Sequence, residues 1–181
     1  MNKNQRIVII SISTVLCLIL DYIKTLLPFL NMPFGGSINI SLIPIVIVSL
    51  VYGYKEGTAV GFFWWLISSL LGLNVWFVSI WQYLFDYVLP SIIPGLVSVF
   101  CLKTKSNTIN IIFGITITMI VRTIVLVISG ALFWTNGLAS GSNAAWVASL
   151  TYNVPYNLLT CLLLCVVVPV VIKRLPNNVL R

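Results

Sequence analysis

The most constraining feature of this sequence is a series of long apolar runs that fills almost the whole chain. Hydrophobic residues make up 60% of the 181 residues and charged residues only 7%, which leaves too few polar side chains to cover a soluble globule. A membrane-spanning helix needs about 20 consecutive apolar residues, so a chain of this length accommodates about six spans. We therefore expect an all-α integral membrane protein with a single transmembrane domain over residues 1–181.

The apolar runs and their breakers predict where the helices lie. The first run follows basic residues but is long and lacks a small-x-small cleavage site, so it is interpreted as a retained helix and not as a signal peptide. Loops rich in glycine, proline or polar residues fall at 28–37, 53–57, 103–107 and 135–143. The six predicted spans are 6–27, 38–54, 57–73, 78–102, 108–133 and 145–172.

The distribution of basic residues predicts the orientation in the membrane. Loops 28–37, 73–77 and 134–144 contain no lysine or arginine. The basic residues that flank the spans all fall in the alternate segments: Lys3, Arg6, Lys55, Lys103, Lys105, Lys173, Arg174 and Arg181. Because cytoplasmic segments carry the excess of positive charge, we expect both termini in the cytoplasm and the uncharged loops outside.

Composition argues against several classes of protein. The chain has no histidine and three acidic residues, too few for most hydrolytic or metal-dependent active sites, so an enzyme is not expected. Neither a metal nor a cofactor is expected, since the four cysteines, all in or beside apolar runs, lack ligand spacing. The net charge of +7 is dispersed between the runs, which favours membrane orientation over nucleic-acid binding.

Four charged residues lie away from the cytoplasmic segments, and each needs a partner or a wet cavity because isolated charge in hydrocarbon is costly. Asp21 and Lys24 are three residues apart, a spacing that predicts a local ion pair on one helix. Asp86 and Arg122 are predicted at similar depths in the outer half of the membrane. The first interpretation is a buried Asp86–Arg122 ion pair that only fixes helix packing.

The second interpretation is a ligand pocket open to the outside. Polar and aromatic side chains are predicted around Asp86 at the same depth, and such a mixture is typical of ligand sites. A buried carboxylate binds a cation or amine, and aromatic faces stack on a flat ring, so the expected ligand is small and flat. An interfacial aromatic belt is the alternative explanation for the tryptophans. The candidate binding residues are Gln82, Asp86, Tyr87, Arg122, Trp134, Tyr152 and Asn153.

Small residues four apart also occur on two predicted helices. Gly57 and Gly61 share one helix, and Ser13 and Cys17 share another. Such pairs allow close helix approach. They favour packing within the chain, while the Ser13 and Cys17 face is alternatively a docking surface for another membrane subunit.

Four stretches together resemble a known family. They are MPFGGSINISLIPIVIVSLVYGYKEGTAVG, QYLFDYVLP, VRTIVLVISGALFW and SLTYNVPY. In order and spacing they resemble the thiamine-specific S components of energy-coupling factor (ECF) importers. The resemblance implies a six-helix S component in the bacterial plasma membrane. Its implied partners are thiamine, captured from outside, an ECF transmembrane coupling subunit, two ATPase subunits and membrane lipid.

The resemblance also implies roles for individual residues. Asp86 corresponds to the carboxylate that meets the cationic vitamin, with Tyr87 beside it, while Trp134 stacks on a ligand ring and Asn153 contacts the ligand. Gln82 and Arg122 occupy family-like polar positions. The loop 28–37 corresponds to a segment that closes over the site, and its family-like residues are Pro33, Gly35, Gly36 and Ser37.

One position departs from the family pattern. Leu126 stands where the resemblance leads us to expect a histidine one turn after Arg122. A thiamine precursor or another flat amine is therefore an alternative substrate. A structural or interaction subunit without a ligand is the alternative from a different class.

Overall fold

A computed structural model describes residues 2–32, 36–73, 76–101, 107–134 and 137–175. Within these ranges the chain folds into helices, with one isolated β-bridge between Asn31 and Ser37. The helices are α1 Lys3–Thr25, α2 Leu42–Tyr52, α3 Tyr54–Leu70, α4 Ile80–Phe100, α5 Thr108–Phe133 and α6 Asn143–Arg174. The predicted all-α fold with six helices is confirmed.

Four of the six helices, α1, α4, α5 and α6, are long and apolar enough to cross a membrane. The second helix was predicted over 38–54, but α2 has only 11 residues. At 1.5 Å per residue it is about 16 Å long, roughly half of a hydrocarbon core. Residues 36–41 are not helical, so this part of the bundle combines a short helix with an extended segment.

The chemistry of residues 39–41 explains the late start of α2. The Asn39 side chain accepts a hydrogen bond from the Ser41 amide at 3.1 Å, and such local bonds compete with helix formation. At the other end of α2, Gly53 adopts φ +113°, a conformation open to glycine. The predicted turn over 53–57 is therefore one residue long, and α3 begins at Tyr54.

The fourth helix is irregular where it passes the predicted site. It contains a π-helical turn over Leu84–Val88 and a 3₁₀ turn over Ile93–Leu96. Pro90 and Pro94 interrupt its backbone hydrogen bonding because neither has an N–H. Single π turns are often found at functional sites, and this one contains Asp86 and Tyr87.

Helices α3 and α4 pack at very short distance through the glycines that the sequence singled out. A Cβ atom on Gly61 would overlap the carbonyl oxygen of Ser91, and one on Gly57 would lie 2.5 Å from the Ser49 Cβ. Ser49 of α2 in turn donates a hydrogen bond of 2.5 Å to the carbonyl of Gly95. Gly57 and Gly61 therefore serve packing within the chain, as predicted.

The first helix corrects the predicted docking role of Cys17. This side chain is fully buried in the hydrophobic core, because the helical period turns the Cys17 face toward the rest of the bundle, as it does for Thr14. Cys17 is therefore not on a surface open to a partner, while docking at the half-buried Ser13 stays a prediction. The exposed apolar face of α1 consists of Val8, Ile12, Val15, Leu16, Ile19 and Ile23.

An ion pair ties together two segments predicted to lie on the cytoplasmic side. Arg6, near the start of α1, pairs with Glu56 in the first turn of α3, and the Glu56 side chain is almost fully buried. The pair places the N-terminal end of α1 beside the α2–α3 turn, as the predicted topology requires. Lys103, Lys105 and Arg181 lie outside the described residues.

Replacement of Gly61 by valine is expected to lower the midpoint of thermal unfolding in detergent, since overpacking a tight contact typically costs about 1–3 kcal/mol. Phe62→Val places the same residue one position further along, on a side chain that is 39% exposed, and should change the midpoint much less. Circular dichroism at 222 nm measures both transitions. Equal midpoints for the two variants would contradict the close packing of α3 on α4.

Candidate functional site

Three side chains predicted to bind a ligand meet where the N-terminal part of α4 lies beside the C-terminal end of α5. The Gln82 side-chain amide donates a 2.7 Å hydrogen bond to Oδ2 of Asp86, one helical turn further along. The indole N–H of Trp134, at the C-terminal cap of α5, donates to the same oxygen. Gln82 is fully buried, so these contacts fix the carboxylate from the protein side.

The Asp86 carboxylate retains capacity for another partner. Both of its donors reach Oδ2, and no side chain in the described part of the chain donates to Oδ1 within hydrogen-bond distance. The side chain is half-buried. A carboxylate fixed through one oxygen can offer the other to a ligand cation or N–H group, and such charge-assisted bonds are strong.

A cavity of about 700 Å³ is lined by Trp134, the residue that donates to this carboxylate. Its volume falls within the usual range of small-molecule sites. Trp134 lines the cavity and also binds Asp86, so the carboxylate is one side chain away from the open space. The residues around the cavity come from the end of α5 and the N-terminal part of α6: Gly130, Trp134, Ala148, Ser149, Thr151, Tyr152, Asn153 and Pro155.

Gly130 and Ser149 bring α5 and α6 together at the cavity wall. A Cβ atom on Gly130 would overlap Oγ of Ser149, so only glycine permits this approach. Ser149 donates a hydrogen bond of 2.7 Å to the carbonyl of Val127. The amide of Asn153 donates back to the Ser149 carbonyl at 3.1 Å. The wall is thus fixed by bonds within the protein.

Asn153 is also hydrogen-bonded to Tyr156, one turn further along α6. The hydroxyl of Tyr156 donates to Oδ1 of Asn153 at 2.8 Å, and Asn153 is 5% exposed. Both ends of this amide are therefore engaged inside the protein. A ligand would meet Asn153 at the cavity wall, where its orientation is already fixed.

Aromatic rings surround the carboxylate on the α3–α4 side. Tyr83 and Tyr87 have ring centroids 5.0 Å apart, and the Tyr83 hydroxyl donates to Oγ of Ser69 at 2.6 Å. Trp76, which precedes α4, lies 5.7 Å from Trp134 between ring centroids, with an interplanar angle of 35°. Trp76 was assigned only to the interfacial belt, since nothing in its spacing along the sequence relates it to Trp134.

Arg122 does not pair with Asp86. Among the described residues the ion pairs are Arg6–Glu56 and Lys24–Asp21, so the sequence alternative of an Asp86–Arg122 bridge is wrong. The guanidinium is almost completely buried and donates from Nε to the carbonyl of Pro90 at 3.0 Å.

A proline supplies the acceptor for Arg122. In a regular α-helix the N–H of residue 94 would donate to the carbonyl of residue 90, but Pro94 has no N–H. The Pro90 carbonyl is therefore open to a side chain. Arg122 also donates to Oδ1 of Asn157. Asn157 was not among the predicted site residues, although its spacing of four from Asn153 places both on one face of α6.

The described part of the loop before α2 lies against the same face of α6. Gly36 adopts φ +78°, and a Cβ atom there would overlap the ring of Tyr156. Ser37 forms the bridge with Asn31, while Pro33 and Gly35 lie outside the described residues. The loop is thus next to Tyr156 and one hydrogen bond from Asn153, and its gating role stays a prediction.

A second, almost wholly apolar cleft of about 580 Å³ lies between α5 and α6 and includes Met119, Ile124 and Leu158 in its wall. A flat amine or cation needs placed polar groups as well as apolar contact. We therefore assign the candidate site to the cavity beside Trp134 and Asp86.

The predicted pair at the outer end of α1 is confirmed. The Lys24 ammonium group donates to Oδ1 of Asp21 at 2.7 Å. This pair lies on α1, and the residues of the candidate cavity belong to α5 and α6. The two intramembrane carboxylates, Asp21 and Asp86, therefore have separate partners.

Comparisons with known proteins agree on one family. Residues 7–180 match the family model described as thiamine transporter protein. The chain is 32% identical over 168 residues to the thiamine transporter ThiT of Bacillus subtilis (strain 168), covering 86% of this chain and 85% of that protein. Its fold is similar to that of ThiT from Listeria monocytogenes, with a TM-score of 0.68, 21% identity and coverage of 90% and 94%. The chain is a multi-pass membrane protein that belongs to the thiamine transporter protein family, a family of transporters and not of enzymes.

Proposed function

We propose that the protein is the substrate-capture subunit of an ECF-type vitamin importer and that it binds thiamine from the extracellular side. The observation that carries the proposal is the carboxylate of Asp86, held through Oδ2 by Gln82 and Trp134 and open at Oδ1. A cavity of about 700 Å³ lies on the other side of Trp134. Family membership and the names of the relatives support thiamine as the ligand.

The chemistry of thiamine suits this site. Thiamine combines a permanently cationic thiazolium ring with a flat aminopyrimidine, so one part needs a negative charge and both need aromatic or apolar surfaces. Asp86 supplies the charge, and Trp134 and Tyr152 supply ring faces in the cavity wall. The Nδ2 group of Asn153 is already bonded to Ser149, so Asn153 offers a ligand amino or hydroxyl group the second lone pair of Oδ1. Tyr87 packs on Tyr83 at the carboxylate side.

Arg122 plays a positioning role in this proposal. Its guanidinium is buried and binds Pro90 and Asn157, so it holds α4 and α6 together below the carboxylate. The site residues that we propose to face thiamine are therefore Asp86, Trp134, Tyr152 and Asn153, supported by Gln82, Tyr87 and Arg122.

The energy for transport comes from partner subunits in this proposal. The sequence contains no G-x₄-G-K-[S/T] phosphate loop, so the chain lacks that means of hydrolysing ATP. An ECF transmembrane coupling subunit and two ATPase subunits would supply it, as the family resemblance implies. The exposed apolar face of α1 is one surface available for the coupling subunit.

A second candidate is an S component for a thiamine precursor or another flat amine. The observation that favours it is Leu126, which is buried in α5 one turn beyond Arg122 at the position where the resemblance leads us to expect histidine. Leucine offers neither a hydrogen bond nor a ring to stack against. A ligand-free structural subunit would need neither the cavity nor the open carboxylate oxygen.

Asp86→Asn is expected to weaken thiamine binding about 10- to 100-fold, because a hydrogen bond to a charged group contributes about 1.5–3 kcal/mol. Quenching of tryptophan fluorescence on titration measures the dissociation constant. Glu56→Gln removes a carboxylate that pairs with Arg6 away from the cavity, and this variant should bind thiamine like the unaltered protein. Equal dissociation constants for the two variants would remove Asp86 from the site.

Competition between ligands separates the two candidate substrates. Thiamine should bind more tightly than its free hydroxymethyl-aminopyrimidine half, because only thiamine carries the cationic ring that Asp86 attracts. In Asp86→Asn, the difference in affinity between thiamine and the pyrimidine half should be smaller. Tighter binding of the pyrimidine half, measured by displacement of labelled thiamine, would instead favour the precursor as substrate.

Uptake of labelled thiamine into proteoliposomes is expected only when the chain is reconstituted with an ECF coupling subunit and its ATPases and ATP is supplied. The isolated chain should bind thiamine without accumulating it. Accumulation by the isolated chain at the same rate would contradict the ECF part of the proposal and leave the binding part intact.

A further inference from the structure

We propose that Asp21 is a positioning residue for ligand retention, because it anchors the base of the loop that packs against Tyr156 next to the site. This inference rests on the proposed thiamine-binding function. The capture loop is defined here as residues 28–32 and 36–41. Asp21 does not line the cavity and would act through Ser41, the last residue of the loop.

The bonding of Asp21 exceeds what charge compensation needs. Lys24, on the same helix, already neutralises the carboxylate at 2.7 Å. Ser41 nevertheless donates from Oγ to Oδ1 at 3.2 Å, and Trp64 of α3 donates from its indole N–H to Oδ2 at 3.2 Å. One carboxylate therefore joins α1, α3 and the base of the capture loop.

A second clamp holds the same base on the opposite side. The amide of Ser41 donates to the Asn39 side chain at 3.1 Å. The amide of Asn39 donates to Oγ1 of Thr160 in α6 at 3.0 Å. Residues 39–41 are thus fixed between α1 and α6 by polar contacts, as non-helical backbone must be where it runs inside a membrane protein.

The rest of the loop is bonded mainly to itself. Ile38 donates its amide to the carbonyl of Leu30 at 2.8 Å, and Met32 donates to the carbonyl of Gly36 at 3.0 Å. These bonds make the described part of the loop a small hairpin above the clamped base. Its described contact with the site is the close approach of Gly36 to the ring of Tyr156.

Anchoring at the base determines where this hairpin lies. Tyr156 bonds to Asn153 at 2.8 Å, and Asn153 lines the cavity. If the base is released on the α1 side, the hairpin loses its fixed position against Tyr156, while the cavity wall stays intact. Release should therefore speed ligand departure far more than it slows ligand entry, since most affinity changes within one site appear in the dissociation rate.

A double-mutant cycle on the full chain tests the anchor. The variants are Asp21→Asn, Ser41→Ala and both together, with Lys24→Met as the matched control that leaves the Ser41 and Trp64 contacts in place. An asparagine has a single carbonyl oxygen and cannot accept from Ser41 and Trp64 as the two carboxylate oxygens do. The readouts are the thiamine dissociation rate by stopped-flow fluorescence and, without ligand, hydrogen exchange of residues 36–41.

Asp21→Asn and Ser41→Ala should each raise the dissociation rate by about 3- to 10-fold, the size of one hydrogen bond. Each should also speed exchange in 36–41. The dissociation rate of the double variant should not exceed that of either single variant, since both substitutions remove the same contact between Ser41 and Asp21. Lys24→Met should change the dissociation rate least.

Two results would overturn the anchor. One is a dissociation rate and an exchange rate unchanged in Ser41→Ala. The other is a result in which Lys24→Met raises the dissociation rate as much as Asp21→Asn does, while Ser41→Ala leaves it unchanged. Asp21 would then serve only in the ion pair with Lys24. Should Asp21→Asn fail to fold, Ser41→Ala alone decides.

The failure of the proposed function would look different. If the unaltered protein binds no thiamine, the importer proposal fails, and the exchange measurement, which needs no ligand, still decides whether Asp21 holds the loop.

Discussion

The constraint on which this structure depends is that polar groups inside a membrane protein must find their partners within the chain. The described residues meet it in several ways. Glu56 pairs with Arg6, Asp21 pairs with Lys24 and accepts two further donors, and Asp86 accepts from Gln82 and Trp134. Each solution also fixes the position of a helix or loop, so the same bonds that make the charges tolerable define the site.

The candidate site combines a rigid wall with a carboxylate that has an open oxygen. Gly130 lets α5 and α6 meet, Ser149 and Asn153 bond to each other and to backbone, and Trp134 fixes the carboxylate. Most polar atoms are therefore engaged before any ligand arrives. One oxygen of Asp86 stays open, and sites that are preorganised in this way spend little energy on ordering when they bind.

Much of the fold could be predicted from the sequence because hydrophobic length and glycine or proline breakers act locally. The six helices and the Asp21–Lys24 pair depend on spacing along the chain, and the placement of Asp86 near Trp134 followed from estimated depth. The short α2 could not be predicted, since Ile38 and Ile40 extend the apolar run. The hydrogen bonds of Asn39 and Ser41, one local and one to α6, keep the helix from starting before Leu42. The burial of Cys17 depends on which face of α1 meets the bundle. The spacing of four between Ser13 and Cys17 shows that they share a face but not whether that face is buried.

The partner of Arg122 was hidden for a different reason. The prediction considered carboxylates, whereas the structure pairs the guanidinium with an amide and a backbone carbonyl. That carbonyl is open because a proline four residues later has no hydrogen to give. Pro94 therefore contributes to a polar contact that none of its own atoms makes. A residue with an N–H at position 94 would bring a second donor to the same oxygen. The arginine on α5 and the proline on α4 therefore depend on each other, although they are 28 positions apart in the sequence.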